Sequence, residues 1–291
     1  MQGVGDDCAR VRVRAGHELV VTTDLLIEGR HFRRGDDPRA LGHKALAVNL
    51  SDLAAGGATP RWVTLAIALP RADAAWLAAF SAGLFALARR FDVDLVGGDT
   101  TRGALVIDIT ALGEAPAGKA LSRAGARPGD DIWVSGTLGG AALALVRPRL
   151  RSVADRLHRP QPRVALGLAL RGVASACIDV SDGLTGDLGH ILERSRVGAV
   201  VAYSSIPREG AFRAMRNREL EKRCVLSGGD DYELLFTAAP AARGRIEALS
   251  RRLRLSLSRI GAITKERKFI VLDAAGKPMS FGGSYDHFAR S

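Results

Sequence analysis

Carboxylates recur at the ends of apolar segments in this 291-residue chain. Asp24 ends the run "VVTTD", Asp52 lies in "NLSDLAAGG", and Asp99 follows two glycines in "LVGGDTTRG". Asp179 and Asp182 both stand in "ACIDVSD". Aspartate is depleted inside strands, and a lone buried carboxylate is costly. Several aspartates at such positions therefore predict a cation that compensates their charge.

The neighbouring residues indicate which cation this is. Hydroxyl side chains stand beside the aspartates, at Thr22, Thr23, Thr100 and Ser181. Carboxylate and hydroxyl oxygens suit Mg²⁺, a hard ion that retains water ligands and often bridges phosphates. The sequence has no cluster of His and Cys with the spacing of a zinc or iron site. The pattern predicts magnesium and, with it, phosphate chemistry.

Each aspartate also has a purely structural interpretation. Asp182 is a reasonable helix cap, with Asp187 favoured by the helix dipole in the first turns that follow. Asp52 fits a polar position on an amphipathic helix, and Asp99 fits a turn after two glycines. For any one of these residues, the structural interpretation is at least as good as metal binding. Five or six aspartates at element ends in one chain favour metal binding.

Composition excludes several classes of protein. No apolar run approaches the roughly 18 residues of a membrane span, and the start "MQGVGDDCARVRVRAG" lacks an apolar signal-peptide core. The three cysteines, Cys8, Cys177 and Cys224, are far apart and odd in number, as expected for reduced thiols. We therefore expect a cytoplasmic protein that does not associate with membranes.

The net charge of +11 raises the alternative of a nucleic-acid-binding protein. The densest basic block, "RPRLRSVADRLHRPQPR" at 147–163, contains no aromatic residue to stack on a base. No nucleic-acid-binding motif surrounds it. We interpret the block as a solvated connector between two domains and expect no nucleic-acid partner.

Hydrophobic periodicity predicts alternating strands and helices in two halves, with a boundary near 120–160. Strands are predicted at 19–27, 62–69, 93–99, 104–115, 130–136, 174–180, 198–206, 232–238 and as a pair near 255–273. Helices are predicted at 39–57, 72–91, 163–171, 184–195 and 241–253.

Eight motifs, in this order along residues 3–288, resemble the thiamine-monophosphate kinases of the aminoimidazole-ribonucleotide-synthetase-like superfamily. They are "VGDDCA", "TTDLLIEGRHF", "KALAVNLSDLAAGGATPRW", "VGGDTTRG", "LSRAGARPGDDIWVSGTLG", "IDVSDGLTGDLGHI", "SGGDDYELLF" and "SYDHF". One motif departs from the family pattern: the usual "GGEDYEL" is here "GGDDYEL", so the carboxylate at position 230 lies one methylene closer to the backbone.

The resemblance implies a mixed α/β (α+β), two-domain PurM-like fold. Residues 1–120 are expected to form an ATP- and metal-binding domain whose mixed sheet pairs in a homodimer, and residues 121–291 a C-terminal α/β domain. The implied activity is phosphorylation of thiamine monophosphate by ATP to thiamine diphosphate, the last step of thiamine diphosphate biosynthesis. The implied small-molecule partners are those two substrates and several Mg²⁺ ions.

The resemblance also implies roles for individual residues. The implied metal ligands are Asp7, Thr22, Thr23, Asp24, Asp52, Asp99, Asp179 and Asp182. The implied ATP contacts are Gly98, Asp99, Arg123 and Ser181. The implied contacts to thiamine monophosphate are His31, Asp230 and Tyr285. We expect the catalytic set to be Asp24, Asp52, Asp99, Asp182 and Arg123.

Phosphate chemistry of this kind explains why a basic chain gathers carboxylates. Two unit charges 4 Å apart repel by ~4 kcal/mol even at an effective dielectric constant of 20, and two polyanionic substrates bring several such pairs together. We expect metal-assisted, direct in-line transfer without a phospho-enzyme. Two relatives in the superfamily stay open as alternatives: a selenophosphate synthetase, for which Cys8 offers a weak match, and a hydrogenase-maturation type, which is expected to end in cysteine where this sequence ends "FARS".

Overall fold

The computed structural model of the chain describes residues 3, 4 and 7–281 and shows two halves, each built on a sheet. The N-terminal sheet has the strand order β1-β4-β2-β3. Its strands are β1 (His17–Ile27), β2 (Thr59–Leu69), β3 (Asp94–Arg102) and β4 (Val106–Pro116). β2 and β3 are parallel and the other pairs are antiparallel, so the sheet is mixed, as predicted.

Two helices cover one face of this sheet, α1 (Pro38–Ala55) and α2 (Ala74–Phe91). Asp37 caps α1 by accepting a hydrogen bond from the Arg39 backbone N–H, and proline occupies the first helical position, where its missing N–H costs nothing. The two helices touch at Gly42, where an added Cβ would lie 2.0 Å from the Phe80 carbonyl oxygen. Only glycine permits this approach. α1 is buried along most of its length, between the sheet and the C-terminal half.

The two faces of the N-terminal sheet differ in burial. The inner face, which includes Ile107 and Ile109, packs against the helices. The outer face presents Leu19, Val21 and Leu25 from β1, and these side chains are 40%, 54% and 47% exposed. Side chains alternate between the two faces along each strand. The outer face is therefore an apolar sheet surface that no described part of the chain covers.

The C-terminal half contains a seven-stranded sheet of order β11-β10-β7-β9-β5-β8-β6. Its strands are β5 (Asp131–Ser135), β6 (Ala176–Asp179), β7 (Gly198–Ala202), β8 (Leu234–Ala238), β9 (Leu257–Thr264), β10 (Phe269–Leu272) and β11 (Pro278–Met279). Its helices are α3 (Gly140–Val146), α4 (Ala154–His158), α5 (Val164–Leu170), α6 (Leu184–Ser195), α7 (Arg218–Ser227) and α8 (Arg243–Leu253). None of the helices in the described ranges is long and apolar enough to cross a membrane.

The halves share one hydrophobic core. Trp133 and Phe236 of the C-terminal sheet belong to the same buried cluster as Leu46 and Leu50 of α1. At Gly167 in α5, an added Cβ would lie 2.0 Å from the carbonyl oxygen of Ala54, so α5 and α1 are in close contact. The packing fixes α1 against both sheets. Side chains of α1 are thus held between groups from the two halves.

The basic block at 147–163 is not the solvated connector that the sequence predicts. It folds into a short 3-10 helix and α4, and Val153 and Leu157 are buried. Arg156 and Arg163 both form ion pairs with the buried carboxylate of Glu233. A buried carboxylate requires such partners. The arginines therefore secure the block to the C-terminal half, and the connector prediction is wrong.

Two smaller differences separate the predicted elements from the observed ones: one strand is shorter than predicted, and one helix was not predicted. The strand predicted at 198–206 ends at Ala202, and residues Tyr203–Ser205 form a 3-10 turn. α7 was not predicted, because its sequence, "RELEKRCVLS", is mostly polar and its apolar face is short.

Candidate functional site

Three predicted metal ligands meet where β1 crosses α1. Thr22 and Asp24 are two residues apart on a strand, so both side chains lie on the inner face, towards the helix. Asp52 occupies the last turn of α1 and accepts a short hydrogen bond from the Thr22 hydroxyl through Oδ2. The contact joins residues 30 positions apart and brings hydroxyl and carboxylate oxygens to one place.

The end of β6 adds two more predicted ligands. Asp179 is the last residue of β6, and its Oδ2 accepts a hydrogen bond of 2.6 Å from the Ser51 hydroxyl. Asp182 follows in the turn before α6. The backbone N–H groups of Asp182 and Gly183 donate to Asp187 Oδ2, each at 3.1 Å, which fixes this turn. We call Thr22, Asp24, Asp52, Asp179 and Asp182 the inner cluster.

The inner cluster carries negative charge that the protein itself does not balance. Burial, followed by the charges of Asp52 and Asp182, raises the pKa of Asp24 to about 7. Burial, followed by the charge of Asp52, raises the pKa of Asp179 well above its usual value. Burial also raises the pKa of Asp52, against the hydrogen bond from Thr22 and the charge of Arg123. A bound cation would relieve this repulsion.

The donor set fits Mg²⁺. All donors are carboxylate or hydroxyl oxygens, as a hard divalent ion requires. Among residues 3, 4 and 7–281, no three acidic, His or Cys side chains converge closely enough to hold a metal ion by themselves. Mg²⁺ usually keeps several water ligands and binds through one or two carboxylates together with substrate phosphates, so these oxygens can complete its coordination.

Two other predicted residues, Gly98 and Asp99, lie at the far edge of the N-terminal sheet, on β3. The register aligns Asp24 with Ile109, Leu65 and Gly98 across the four strands. Three strand spacings separate Asp24 from this edge, about 14 Å. Asp99, one residue on, lies on the outer face and accepts a hydrogen bond from the Thr100 backbone N–H at 2.9 Å.

Gly98 has a conformation that other residues rarely adopt. Its φ is 150°, and an added Cβ would lie 1.9 Å from the Leu65 carbonyl oxygen. The position therefore requires glycine for close contact between β2 and β3.

Asp7 lies in a segment that passes β3, because Gly3 approaches the Val96 backbone and Arg12 shares an open cleft with Asp94. Asp7 is exposed. We call Asp7, Gly98 and Asp99 the edge group, which within one chain is separate from the inner cluster.

Thr23 points away from the inner cluster. It lies on the outer face of β1, where its hydroxyl forms a short hydrogen bond with the hydroxyl of Thr110. Its predicted role as a metal ligand therefore needs a metal ion bound at the outer face or contact through its backbone carbonyl.

The two other predicted ATP contacts, Arg123 and Ser181, border the inner cluster. Arg123 lines a cavity of about 230 Å³ together with Thr22, Asp52 and Asp179. Its positive charge acts on Asp52. Ser181 precedes Asp182 and lines a second cavity, of about 450 Å³. Both residues are placed to contact a phosphate chain that lies along the carboxylates.

The second cavity connects the inner cluster to the predicted acceptor residues. Asp24, Asp182, His31 and Asp230 all line it, and the Asp230 backbone N–H donates to the Ser181 carbonyl oxygen at 2.8 Å, next to Asp182. His31 Nδ1 accepts a hydrogen bond of 3.0 Å from the Ile27 backbone N–H, so the neutral ring carries its proton on Nε2. The third predicted acceptor contact, Tyr285, lies outside the described residues.

Sequence reasoning missed three residues that shape this region, Lys44, Ser51 and Tyr232. Ser51 orients Asp179, and Tyr232 donates its hydroxyl to Asp230 Oδ1 at 2.9 Å. Lys44 is a buried lysine in an otherwise apolar stretch of α1. Its signal was available in "HKALAVNL", since lysine is seldom buried without a partner.

Comparisons with known proteins show the family to which the chain belongs. Residues 5–115 match the family model of the AIR synthase related protein, N-terminal domain, and residues 127–273 match that of the C-terminal domain. The thiamine-monophosphate kinase of Salmonella typhimurium is 44% identical over 298 residues, which cover 99% of this chain and 92% of that protein.

Two solved structures are similar over most of their length. The thiamine-monophosphate kinase from Stenotrophomonas maltophilia K279a has a TM-score of 0.90 and 48% identity, covering 96% of this chain and 92% of that chain. AaThiL, complexed with AMPPCP and TMP, has a TM-score of 0.81 and 29% identity, covering 99% and 93%. The predicted two-domain α+β fold is confirmed, and the chain belongs to the thiamine-monophosphate kinase family of AIR-synthase-related proteins and is a kinase.

Proposed function

We propose that this chain transfers the γ-phosphoryl group of ATP to thiamine monophosphate, with Mg²⁺, as the last step of thiamine diphosphate biosynthesis. The observation that carries the proposal is the cavity that links the inner cluster to His31 and Asp230. It brings predicted metal ligands and predicted acceptor contacts together in one space. The complex of AaThiL with AMPPCP, an ATP analogue, and TMP supports the same pair of substrates.

The residues of the inner cluster have a defined task in this reaction. Asp24, Asp52 and Asp182 would hold Mg²⁺, which would neutralise phosphate charge as the two anionic substrates approach. Arg123 is an additional cation next to Asp52 and is placed to clamp a phosphate oxygen. The transfer is direct and in line, and the chain acts by positioning and charge neutralisation.

The acceptor contacts supply the specificity. His31 and Asp230 come from the two halves of the molecule, and both line the cavity. The apolar side chains of Leu145, Val146 and Leu157 form a wall against which an aromatic ring of the acceptor can pack. Tyr285 is proposed as a further contact on the strength of the family resemblance.

We further propose that the active form is a homodimer that joins the edge group of one copy to the inner cluster of the other. The exposed outer face, with Leu19, Val21 and Leu25, is an apolar surface suited to a second sheet. Rotation about a twofold axis parallel to the strands does not change the position of a residue along the strand direction. Since Asp24 and Gly98 share one row of the sheet, this symmetry places β1 of one copy opposite β3 of the other.

Residues 1–120 and 121–291 are proposed as the two domains, because each range carries its own sheet. We place the enzyme in the cytoplasm, a proposal supported by the free thiols of Cys8, Cys177 and Cys224. The arginines that the sequence offers to nucleic acid are in part occupied by Glu233. We therefore propose no nucleic-acid partner.

One experiment tests the activity directly. The purified dimer is incubated with Mg-ATP and each of several phosphorylated acceptors, and ADP release and the phosphorylated product are measured. We expect ADP formation that depends on thiamine monophosphate and yields thiamine diphosphate. Folded protein that produces no acceptor-dependent ADP at any Mg²⁺ concentration would contradict the proposal.

A further inference from the structure

Lys44 is a buried cation that the proposed reaction has not yet used. Its side chain is only 4% exposed, in the middle of α1. The ammonium group donates to Asp230 Oδ2 at 3.0 Å and to the His31 carbonyl oxygen at 3.3 Å. Lys44 therefore contacts both predicted acceptor residues, one from each half of the molecule.

Asp230 is held in place from several sides. Tyr232 donates to its second carboxylate oxygen, Oδ1, at 2.9 Å. Asp230 and Tyr232 have φ values of 66° and 50°, in the left-handed region that non-glycine residues rarely adopt. Backbone hydrogen bonds of 2.8 Å from both residues, to the carbonyls of Ser181 and Val180, fix this strained loop. The carboxylate consequently has a defined orientation in the cavity.

One of the two cavities that Asp230 lines has a balanced set of charged side chains. A small cavity of about 170 Å³ adjoins Lys44 and Asp230. Its ionisable lining, apart from two histidines, consists of three basic and three acidic residues, namely Arg30, Arg33 and Lys44, and Asp36, Asp37 and Asp230. A substrate in this region meets a carboxylate whose charge is already paired with an ammonium group 3.0 Å away. Asp230 is 32% exposed, so its remaining lone pairs are available to a ligand.

We propose that Lys44 is a positioning residue that neutralises and orients Asp230, so that Asp230 recognises a hydrogen-bond donor of the acceptor and not its positive charge. This inference rests on the proposed function. Thiamine monophosphate offers both features: a permanently cationic thiazolium and an uncharged pyrimidine with an amino group. Asp230, paired with Lys44, accepts a hydrogen bond from the amino group.

Binding measurements with three ligands separate the two modes of recognition. The ligands are thiamine monophosphate, an analogue with an uncharged thiophene in place of the thiazolium, and an analogue with hydrogen in place of the pyrimidine amino group. Dissociation constants are measured by calorimetry in the presence of Mg-AMPPCP. For the unaltered enzyme we expect the thiophene analogue to bind within about threefold of thiamine monophosphate. We expect the analogue without the amino group to bind at least about tenfold more weakly, because it leaves Asp230 without its donor.

Lys44→Met tests the role of the lysine, since it retains length and removes charge. It leaves the Asp230 carboxylate unpaired, so the preference for the cationic ligand over its thiophene analogue should increase about tenfold. The KM for ATP should stay within about twofold. Lys44→Met/Asp230→Asn removes both charges and should return the preference to the starting value. Lys265→Met, at an exposed position, is the matched control.

Several results would overturn the inference. One is an unaltered enzyme that binds the thiophene analogue at least about tenfold more weakly than thiamine monophosphate, since Asp230 would then act as a counter-ion. Another is Lys44→Met with unchanged ligand preference. If Lys44→Met does not fold, the unaltered enzyme and the double variant decide the question. Turnover of thiamine monophosphate by the unaltered enzyme separately tests the proposed function, so the two failures are distinguishable.

Discussion

The inner cluster and the edge group both contain aspartates that match metal ligands, yet their surroundings are opposite. Asp24 and Asp179 are enclosed between β1, α1 and β6, and burial raises the pKa of each. Asp7 and Asp99 are exposed, and Asp99 lies at the far edge of the same sheet. The inner cluster is mostly half-buried, whereas the edge group is exposed and separate from it within one chain. We propose that the two are parts of one site, completed between two copies of the chain.

The largest effect is expected at the inner cluster. Gly183 is the N-cap of α6 and no described side chain caps this helix, so the structural interpretation of Asp182 as a cap is not supported. Asp182→Asn keeps the size of the side chain but loses its negative charge, and activity should fall by about 10²–10³-fold. The thermal midpoint should change little. Steady-state kinetics and thermal unfolding measure both quantities, with Glu247→Gln on exposed α8 as the control. Activity that survives at saturating Mg²⁺ would show that the charge of Asp182 has no part in catalysis.

A loss of about 10–100-fold is expected for Asp99→Asn, although Asp99 lies about 14 Å from Asp24 within one chain. If the edge group completes the metal site, the Mg²⁺ concentration needed for half-maximal activity should increase. A variant with normal kinetics would show that the edge group has no part in catalysis. That result would also remove the main reason to propose that the edge group of one copy and the inner cluster of another form one site.

The pH dependence of stability should reveal the inner cluster in the absence of metal. The folded pKa of Asp24 is about 7 and its ordinary value is 3.8, so the folded state binds more protons than the unfolded state between them. Asp24 therefore stabilises the folded state fully at a pH below its ordinary pKa, and this stabilisation is lost as the pH rises through about 7. Asp187 and Asp231, with pKa values raised to about 7, mainly by burial, act in the same direction.

We therefore expect the Tm of metal-free enzyme to decrease by at least about 3 °C between about pH 5 and about pH 8. Saturating Mg²⁺ should reduce this decrease, because the bound cation favours the charged carboxylates. Asp24→Asn should flatten the metal-free profile, and Asp99→Asn should leave it unchanged. Parallel profiles for Asp24→Asn and the unaltered enzyme would contradict the account of the inner cluster.

The smallest expected effect is on stability and depends on backbone geometry, not on charge. Gly98→Ala places a methyl group against the Leu65 carbonyl and should lower stability by about 1–3 kcal/mol. Gly189→Ala in α6 meets no atom within 4 Å and should instead stabilise the protein by about 0.5–1 kcal/mol. Denaturant titration measures both. Equal effects of the two substitutions would show that β2 and β3 do not need their close contact.

Local patterns predicted most strands and helices, because helices such as α2 and α6 have an apolar face at helical spacing. The contact of Thr22 with Asp52 was not predictable from the residues alone, since it depends on how two distant elements pack. Glu233 shows the same limit. A glutamate inside the apolar run "YELLF" gave no indication that Arg156 and Arg163 are its partners, so the basic block was misinterpreted. The family resemblance named the site residues but not their division between two regions.

The most direct test of a site shared between two copies is activity in mixed dimers. Asp24→Asn and Asp99→Asn enzymes, each nearly inactive, are unfolded together, refolded and assayed for thiamine diphosphate formation. If the inner cluster of one copy works with the edge group of the other, half of the dimers contain one intact site, and activity should return to about a quarter of that of the unaltered enzyme. Mixed dimers that are shown to form but have no more activity than the separate variants would contradict the shared site.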